Sequence, residues 1–269
     1  MKNMDLRQQI AKSLEQHGVA ILPPMDVRQS LKVMADSDIH ATTSILDPWY
    51  NKGIGGVLPD EEYDKFIKEL LDRSSTISDF IYLWGFPEVI GPYVRFAPEG
   101  FQMSSWLTWF YKNCPSVIRG WRSSQNACIQ FSRKEARLHP ENFLTGQQEL
   151  RFNEGKMRFV PGPTSVIEAP LIVGFVGKKE SVGHPSQKPE AVFEKIILMS
   201  TKKDDIIVDL MAGSGTTGSV AKKTGRKAIL CDMNEEYIAM MEKRLSVKRI
   251  EVNFADALSE TELPSPIAV

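Results

Sequence analysis

Asp47 closes a run of small and apolar residues, Ser44-Ile45-Leu46, and is followed by Pro48, Trp49 and Tyr50. Proline cannot extend a strand ladder and restrains the residue before it, so the carboxylate stands at the mouth of a buried strand. A carboxylate there can accept hydrogen bonds or hold a cation, and two aromatic rings beside it offer flat apolar surface to a planar ligand. The same residues also suit an ordinary strand-to-loop turn with packing aromatics.

A second feature is Asp209-Leu210-Met211-Ala212-Gly213-Ser214-Gly215-Thr216-Thr217-Gly218, between an apolar strand pattern and a helical one. Gly213, Gly215 and Gly218 fit G-x-G-x-x-G, and Asp232 follows Gly213 by 19 residues at the end of the next strand pattern. That spacing suits an acid holding the ribose hydroxyls of a bound nucleoside. Ser219 stands where a P-loop needs lysine, which argues against that motif. Two cofactors remain, a dinucleotide and S-adenosylmethionine. A pyrophosphate at the helix N-terminus makes a nearby acid unwelcome. S-adenosylmethionine carries a sulfonium and an ammonium and no phosphate, so Asp209 favours it. A tight glycine turn without a ligand is the plainer account.

A third segment, Gly183-His184-Pro185-Ser186-Gln187-Lys188-Pro189, completes a set. With Asp47-Pro48-Trp49-Tyr50 first, His184 to Pro189 next and Gly213-Ser214-Gly215 last, the chain resembles the amino-methylating DNA methyltransferases of the beta arrangement. That family places a D-P-P-Y-type motif ahead of an H-P-x-x-K-P segment and an F-x-G-x-G-type loop. The resemblance covers roughly residues 20–245. It implies an α/β fold: a doubly wound, mostly parallel, seven-stranded Rossmann-like sheet with circularly permuted motif order. It also implies methyl transfer from S-adenosylmethionine to an exocyclic amine of a base flipped out of double-stranded DNA. N6 of adenine comes first, because Asp rather than Ser opens the catalytic motif. N4 of cytosine, an RNA adenine and a non-catalytic subunit are the alternatives.

The family chemistry explains the residue types. An exocyclic amine is a poor nucleophile, because its lone pair is delocalised into the ring. By the resemblance, the Asp47 carboxylate and the Pro48 carbonyl accept its two N–H bonds. They thereby stabilise charge that develops only as the methyl group transfers. Tyr50 would offer the base a stacking face. Trp49 stands where the family has proline, as a second stacking surface, a lid or a packed indole. The resemblance also implies Ser186 and Lys188 at the cofactor carboxylate and His184 shaping the turn, unless His184 is only a hydrogen-bonded loop residue. Asp209, Met211, Ala212, Gly213, Ser214, Gly215, Thr216, Thr217, Asp232 and Asn234 would surround the rest of the cofactor. Asp26 is implied near its adenine, with Asp256 competing for that place.

Residues 112–158 hold nine Lys/Arg against four Glu, a local charge of +5 in a chain of net charge −1. Basic clusters are the footprint of phosphate binding. Arg119, Arg122, Gln125, Arg133, Lys134 and Arg137 combine cations for phosphates with an amide able to read an adenine edge. A solvated loop would carry the same charge. The family's target-recognition region falls at about 135–165 and is short here, which suggests a brief target, a homodimer or a helper subunit.

These groups need a frame. Apolar spacing predicts helices over 1–18, 26–35, 59–74, 186–200, 216–225 and 234–245. Strands are predicted over 19–22, 43–46, 79–85, 104–113, 126–134, 204–211 and 227–233. Such alternation argues for a parallel sheet with helices on both faces. The expected organisation is a catalytic half (1–134), a recognition insertion (135–182), a cofactor-binding half (183–258) and a tail (259–269). Cys114, Cys128 and Cys231 form neither a disulfide nor a zinc pattern, so no metal is expected and a reducing cytoplasm is implied. No 18-residue apolar run exists, so no membrane span is expected.

Overall fold

The computed structural model of the chain describes residues 6–51, 56–114, 120–174 and 176–251. The first half runs α1 (Leu6–His17), β1 (Val19–Ile21), α2 (Val27–Asp36), β2 (Ala41–Leu46), α3 (Asp60–Ile77), β3 (Ser78–Gly85) and a short α4 (Pro87–Ile90). Then come β4 (Phe101–Phe110), β5 (Gln125–Arg133), α5 (Gln147–Asn153) and β6 (Val166–Glu168). The last part is α6 (Glu190–Ser200), β7 (Ile206–Asp209), α7 (Thr216–Thr224), β8 (Lys227–Leu230) and α8 (Glu235–Leu245). No described helix is long and apolar enough to cross a membrane.

The strands form one sheet in the order β1-β8-β7-β2-β3-β5-β4-β6. All run parallel except β5, which pairs antiparallel with β3 and β4. Seven strands were expected and eight are present among the described residues. The extra one is β6, three residues at the edge beside β4, with only Ile167 buried. So short a run carries no readable alternation.

Strands buried on both faces read as continuous apolar runs. Val19, Ile21, Ile45, Phe80, Tyr82 and Trp84 face one layer with α6, α7 and α8. Ala20, Leu46, Ile81 and Leu83 face the other with α1, α2 and α3. Local chemistry sets the helix ends. Asn234 caps α8 by accepting from the Glu236 amide at 2.8 Å, and α7 stops at Gly225 in the left-handed conformation.

From β2 the chain moves through α3 to β3 on one side, and from β7 through α7 to β8 on the other. The β2–β7 boundary is therefore the switch point, where a crevice opens at the carboxyl ends of the strands. Ile45 pairs there with Asp209. Because β5 is reversed, its last residues return to the amino edge, where Ser132 pairs with Phe80 and Arg133 with Phe101. The following segment stays at that edge. His139 donates its amide to the Met199 carbonyl at 2.7 Å, and the Asn142 side chain donates to Leu198 and Thr201 carbonyls at 2.7 and 3.0 Å. These carbonyls lie at the C-terminal end of α6, away from the crevice. The chain climbs back only through β6, where Val166 pairs with Thr108.

Candidate active site

Three carboxylates stand at the carboxyl ends of three adjacent strands: Asp47 after β2, Asp209 ending β7 and Asp232 just past β8. They line one cavity of about 810 Å³, together with Asp26, Pro48, Trp49, Tyr50, Phe86, His184, Ser186, Lys188 and the glycine loop. Cavities of this size hold a drug-sized ligand with room to spare.

Asp47 is engaged on both oxygens. Lys188 Nζ donates to Oδ2, and the Tyr50 hydroxyl donates to Oδ1 at 3.2 Å. Lys188 also donates to the Tyr50 hydroxyl at 3.0 Å. Burial opposes the Lys188 charge, but Asp47 and then Tyr50 outweigh it and raise the ammonium above its ordinary value. Burial, reinforced by Asp47, pushes the Tyr50 phenol up to about 12. The Tyr50 ring lies 4.7 Å from that of Phe86. Trp49 packs away from this pair, 4.9 Å from the Phe66 ring and 5.5 Å from Tyr63, while its carbonyl accepts from the Tyr63 hydroxyl at 2.7 Å. The indole is thus wedged against α3, although it reaches the cavity wall.

On the glycine-loop side, Asp209 is 3% exposed and accepts from the Thr217 hydroxyl and, at 3.3 Å, from the Met211 amide. Burial pushes its carboxyl up to about 7 despite the Thr217 bond. The Asp232 carboxylate accepts from the Gly213 amide at 2.9 Å and from the Asn234 amide at 3.0 Å, with burial raising its pKa. Gly213 has φ +47°, and a Cβ there would lie 2.8 Å from His184 Nε2. A Cβ on Gly218 would meet Leu230 at 2.7 Å, so this glycine lets α7 close on the sheet. His184 Nδ1 accepts the Ser186 amide at 3.1 Å, fixing the turn, and its ring meets Tyr237 edge-on at 4.4 Å. Asp26 lines the cavity while capping α2, its carboxylate accepting from the Arg28 amide at 2.8 Å. Asp256 lies outside the described residues.

A buried acid at the neck of the glycine loop repels a pyrophosphate and suits a cationic ligand, so the cavity fits S-adenosylmethionine better than a dinucleotide. Residues 43–243 match the N6_N4_Mtase family, described as DNA methylase. The chain belongs to this DNA methylase family. It is an S-adenosylmethionine-dependent DNA methyltransferase acting on an exocyclic amine. Its sequence is 29% identical to the type II methyltransferase M.HpaI of Haemophilus parainfluenzae over 247 residues, 86% of this chain and 75% of that one. It is 45% identical to the DNA adenine methyltransferase YhdJ of Escherichia coli K12 over 85 residues, 32% of this chain and 28% of that one. The M1.HpyAVI–SAM complex shares the fold, with TM-score 0.65 at 22% identity over 85% of this chain and all of that one.

Two expectations for the methylase concern groups whose placement the fold decides. The resemblance implies Lys188 at the cofactor carboxylate; Lys188 lines the cavity, where its ammonium donates to Asp47 and to the Tyr50 hydroxyl. The six residues grouped for DNA contact are separated. Arg122 and Gln125 are exposed at the carboxyl edge, beside the crevice. Arg133, Lys134 and Arg137 lie at the other edge, the far end of a strand about 27 Å long. Arg133 is occupied there, donating to the Ser75 carbonyl and lying over the Phe101 ring. Arg119 lies outside the described residues. These basic residues are close in sequence, and the reversed strand β5 parts them.

Sequence reasoning missed Phe86, Phe66, Phe193, Tyr237 and Arg244. Phe86 directly follows β3, a strand-mouth aromatic like Tyr50, so its signal was available. Arg244 was not findable. It reads as an ordinary basic residue in the last turn of a helix, yet it donates to the Ser214 carbonyl at 3.0 Å, Thr216 at 3.1 Å and Glu190 at 3.0 Å. It braces the glycine loop from behind.

Proposed function

We propose that this methyltransferase acts on N6 of adenine in double-stranded DNA, with Asp47 and the Pro48 carbonyl as the two acceptors of the target amine. The observation carrying this is Asp47 at the switch point, one strand from Asp209 and two from Asp232, on one cavity. The cofactor supplies an electrophilic methyl group on a sulfonium. The chain supplies position and charge. Asp209 faces the cofactor's cationic groups, Asp232 its ribose hydroxyls, and the His184–Ser186 turn with Gly213 to Thr217 encloses it. Tyr50 and Phe86 form the aromatic wall on which the flipped base stacks. Asp47 and Pro48 draw the amine toward tetrahedral geometry as its lone pair is used.

Support for adenine comes from Asp at the first catalytic position and from the similarity to YhdJ, an adenine enzyme by name. DNA would approach the carboxyl edge, where the loop between β4 and β5 presents Arg122, Gln125 and a fully exposed Trp121. Lys178 and Lys179 stand on the connection back to α6, also exposed. The 137–162 segment is left out of this interface.

The test is transfer of labelled methyl to DNA by the purified protein and by Asp47→Ala, followed by analysis of the modified base. N6-methyladenine from the wild type, and a loss of about 1,000-fold in the variant, is the expected result. Equal incorporation by both proteins would remove Asp47 from the chemistry, and N4-methylcytosine would replace adenine.

A further inference from the structure

Lys188 is 5% exposed, and its ammonium is held between the Asp47 carboxylate and the Tyr50 hydroxyl. Such a position needs a reason, because burying an ammonium is costly unless it is paired and hydrogen-bonded. The two bonds to Asp47 are unequal. Oδ2 takes its bond from the Lys188 ammonium, whereas Oδ1 takes its bond from a neutral donor, the Tyr50 hydroxyl, at 3.2 Å. With both partners charged, the first bond adds Coulomb attraction that the second lacks.

The backbone holds the pair in register. Asp47 is fixed by the end of β2, and Lys188 by Pro189, the N-cap residue of α6. In addition, the Lys188 carbonyl accepts from the Thr216 hydroxyl at 3.0 Å, tying it to the start of α7. Without the ammonium, Asp47 would face Asp209 one strand away with no opposing charge, and like charges at that spacing repel.

We propose that Lys188 is a positioning residue for methyl transfer: it pins Oδ2 of Asp47 so that Oδ1 is the oxygen the target amine meets. This rests on the role given to Asp47 above. The Tyr50 hydroxyl is then a placeholder. An incoming amine N–H replaces it on Oδ1, and the hydroxyl keeps its bond from Lys188. The ammonium thus serves the acceptor and not the carboxylate of the cofactor.

The experiment compares Lys188→Met, Lys188→Arg, Asp47→Asn and the Lys188→Met/Asp47→Asn pair. S-adenosylmethionine affinity is measured by calorimetry, transfer by single turnover at saturating cofactor and DNA, and folding by thermal melting. Lys188→Met is expected to lower the single-turnover rate about 100-fold while the cofactor Kd changes by less than about threefold. Lys188→Arg, which keeps a cation, is expected to recover at least about tenfold of that loss. The double variant should melt above Lys188→Met, because it leaves no unpaired carboxylate. This last comparison decides even if Lys188→Met folds poorly.

An unchanged rate in a folded Lys188→Met overturns the proposal. So does a Kd weakened about 30-fold with an unchanged saturated rate, which would make Lys188 a cofactor ligand. A double variant no better folded than Lys188→Met overturns it as well. If Asp47→Asn retains full activity, the parent reading fails instead; an inactive Asp47→Asn beside a fully active Lys188→Met removes only the role of Lys188.

Discussion

At the carboxyl edge of the sheet, Asp209 and Asp232 are buried acids with raised pKa values, and Lys188 is a buried ammonium held by its neighbours. At the amino edge, Arg133 lies on Phe101, Arg137 reaches Glu141 at 3.4 Å, and Asn142 caps the end of α6. Both edges are polar and both hold loops. The amino edge spends its polar groups on closing the fold, whereas the carboxyl edge keeps charge in a cavity wall, where only a ligand or another functional group can balance it. Perturbed acids clustered in a cleft are the physical mark of a site, and a basic sequence stretch is not.

The sharpest way to break this contrast is Asp209→Asn. Loss of the acid should weaken S-adenosylmethionine binding by about 30-fold, from the charge-assisted contacts it removes. It should also stabilise the ligand-free protein above neutral pH. The folded carboxyl titrates at about 7 against an ordinary 3.8, so the folded state binds the extra proton. Stability from this group is present at low pH and is lost as pH rises from about 4 to about 7. Thermal melts of the wild type across that window, set against a flatter Asp209→Asn profile, check the sign. An unchanged Kd would move the cofactor's cations elsewhere.

Trp49→Ala tests whether the residue that departs from the family motif belongs to the site or to the packing. Removing the indole from Phe66 and Tyr63 should cost about 3 kcal/mol in urea unfolding. A stable variant with weakened DNA binding would instead put Trp49 in the base pocket. Asn142→Ala probes the amino edge. Two lost hydrogen bonds at the end of α6 should cost about 1–2 kcal/mol and leave kcat/KM unchanged. The smallest effect separates two arginines. Arg122→Ala should raise KM for DNA about threefold and reduce the salt slope by about one, while Arg137→Ala leaves both within error. Equal effects would return the 137–162 segment to the DNA interface.

Much of this molecule was legible from its sequence. The glycine loop with Asp232 on the following strand required a strand, a tight turn and a helix, and β7, α7 and β8 form that unit. Asp47-Pro48 required a strand end, and β2 supplies it. Asn234 caps α8 as its residue type demands. These are local consequences of backbone chemistry, and the order of the three motifs gave the family. The edge strand β6 was hidden because three residues carry no period, and Arg244 because a basic residue at a helix end has an ordinary explanation.

By itself, then, the sequence determined the parallel α/β architecture, the cofactor class and the loop that carries the reactive acceptors. Each rests on residues close together in the chain. Only the tertiary structure decided which charges meet. It paired Lys188 with Asp47 across 141 residues and turned Trp49 against α3. It also divided one basic stretch between two edges, because β5 runs against its neighbours. Strand direction and helix placement are set by long-range packing of two apolar layers, and no local pattern in the chain encodes them.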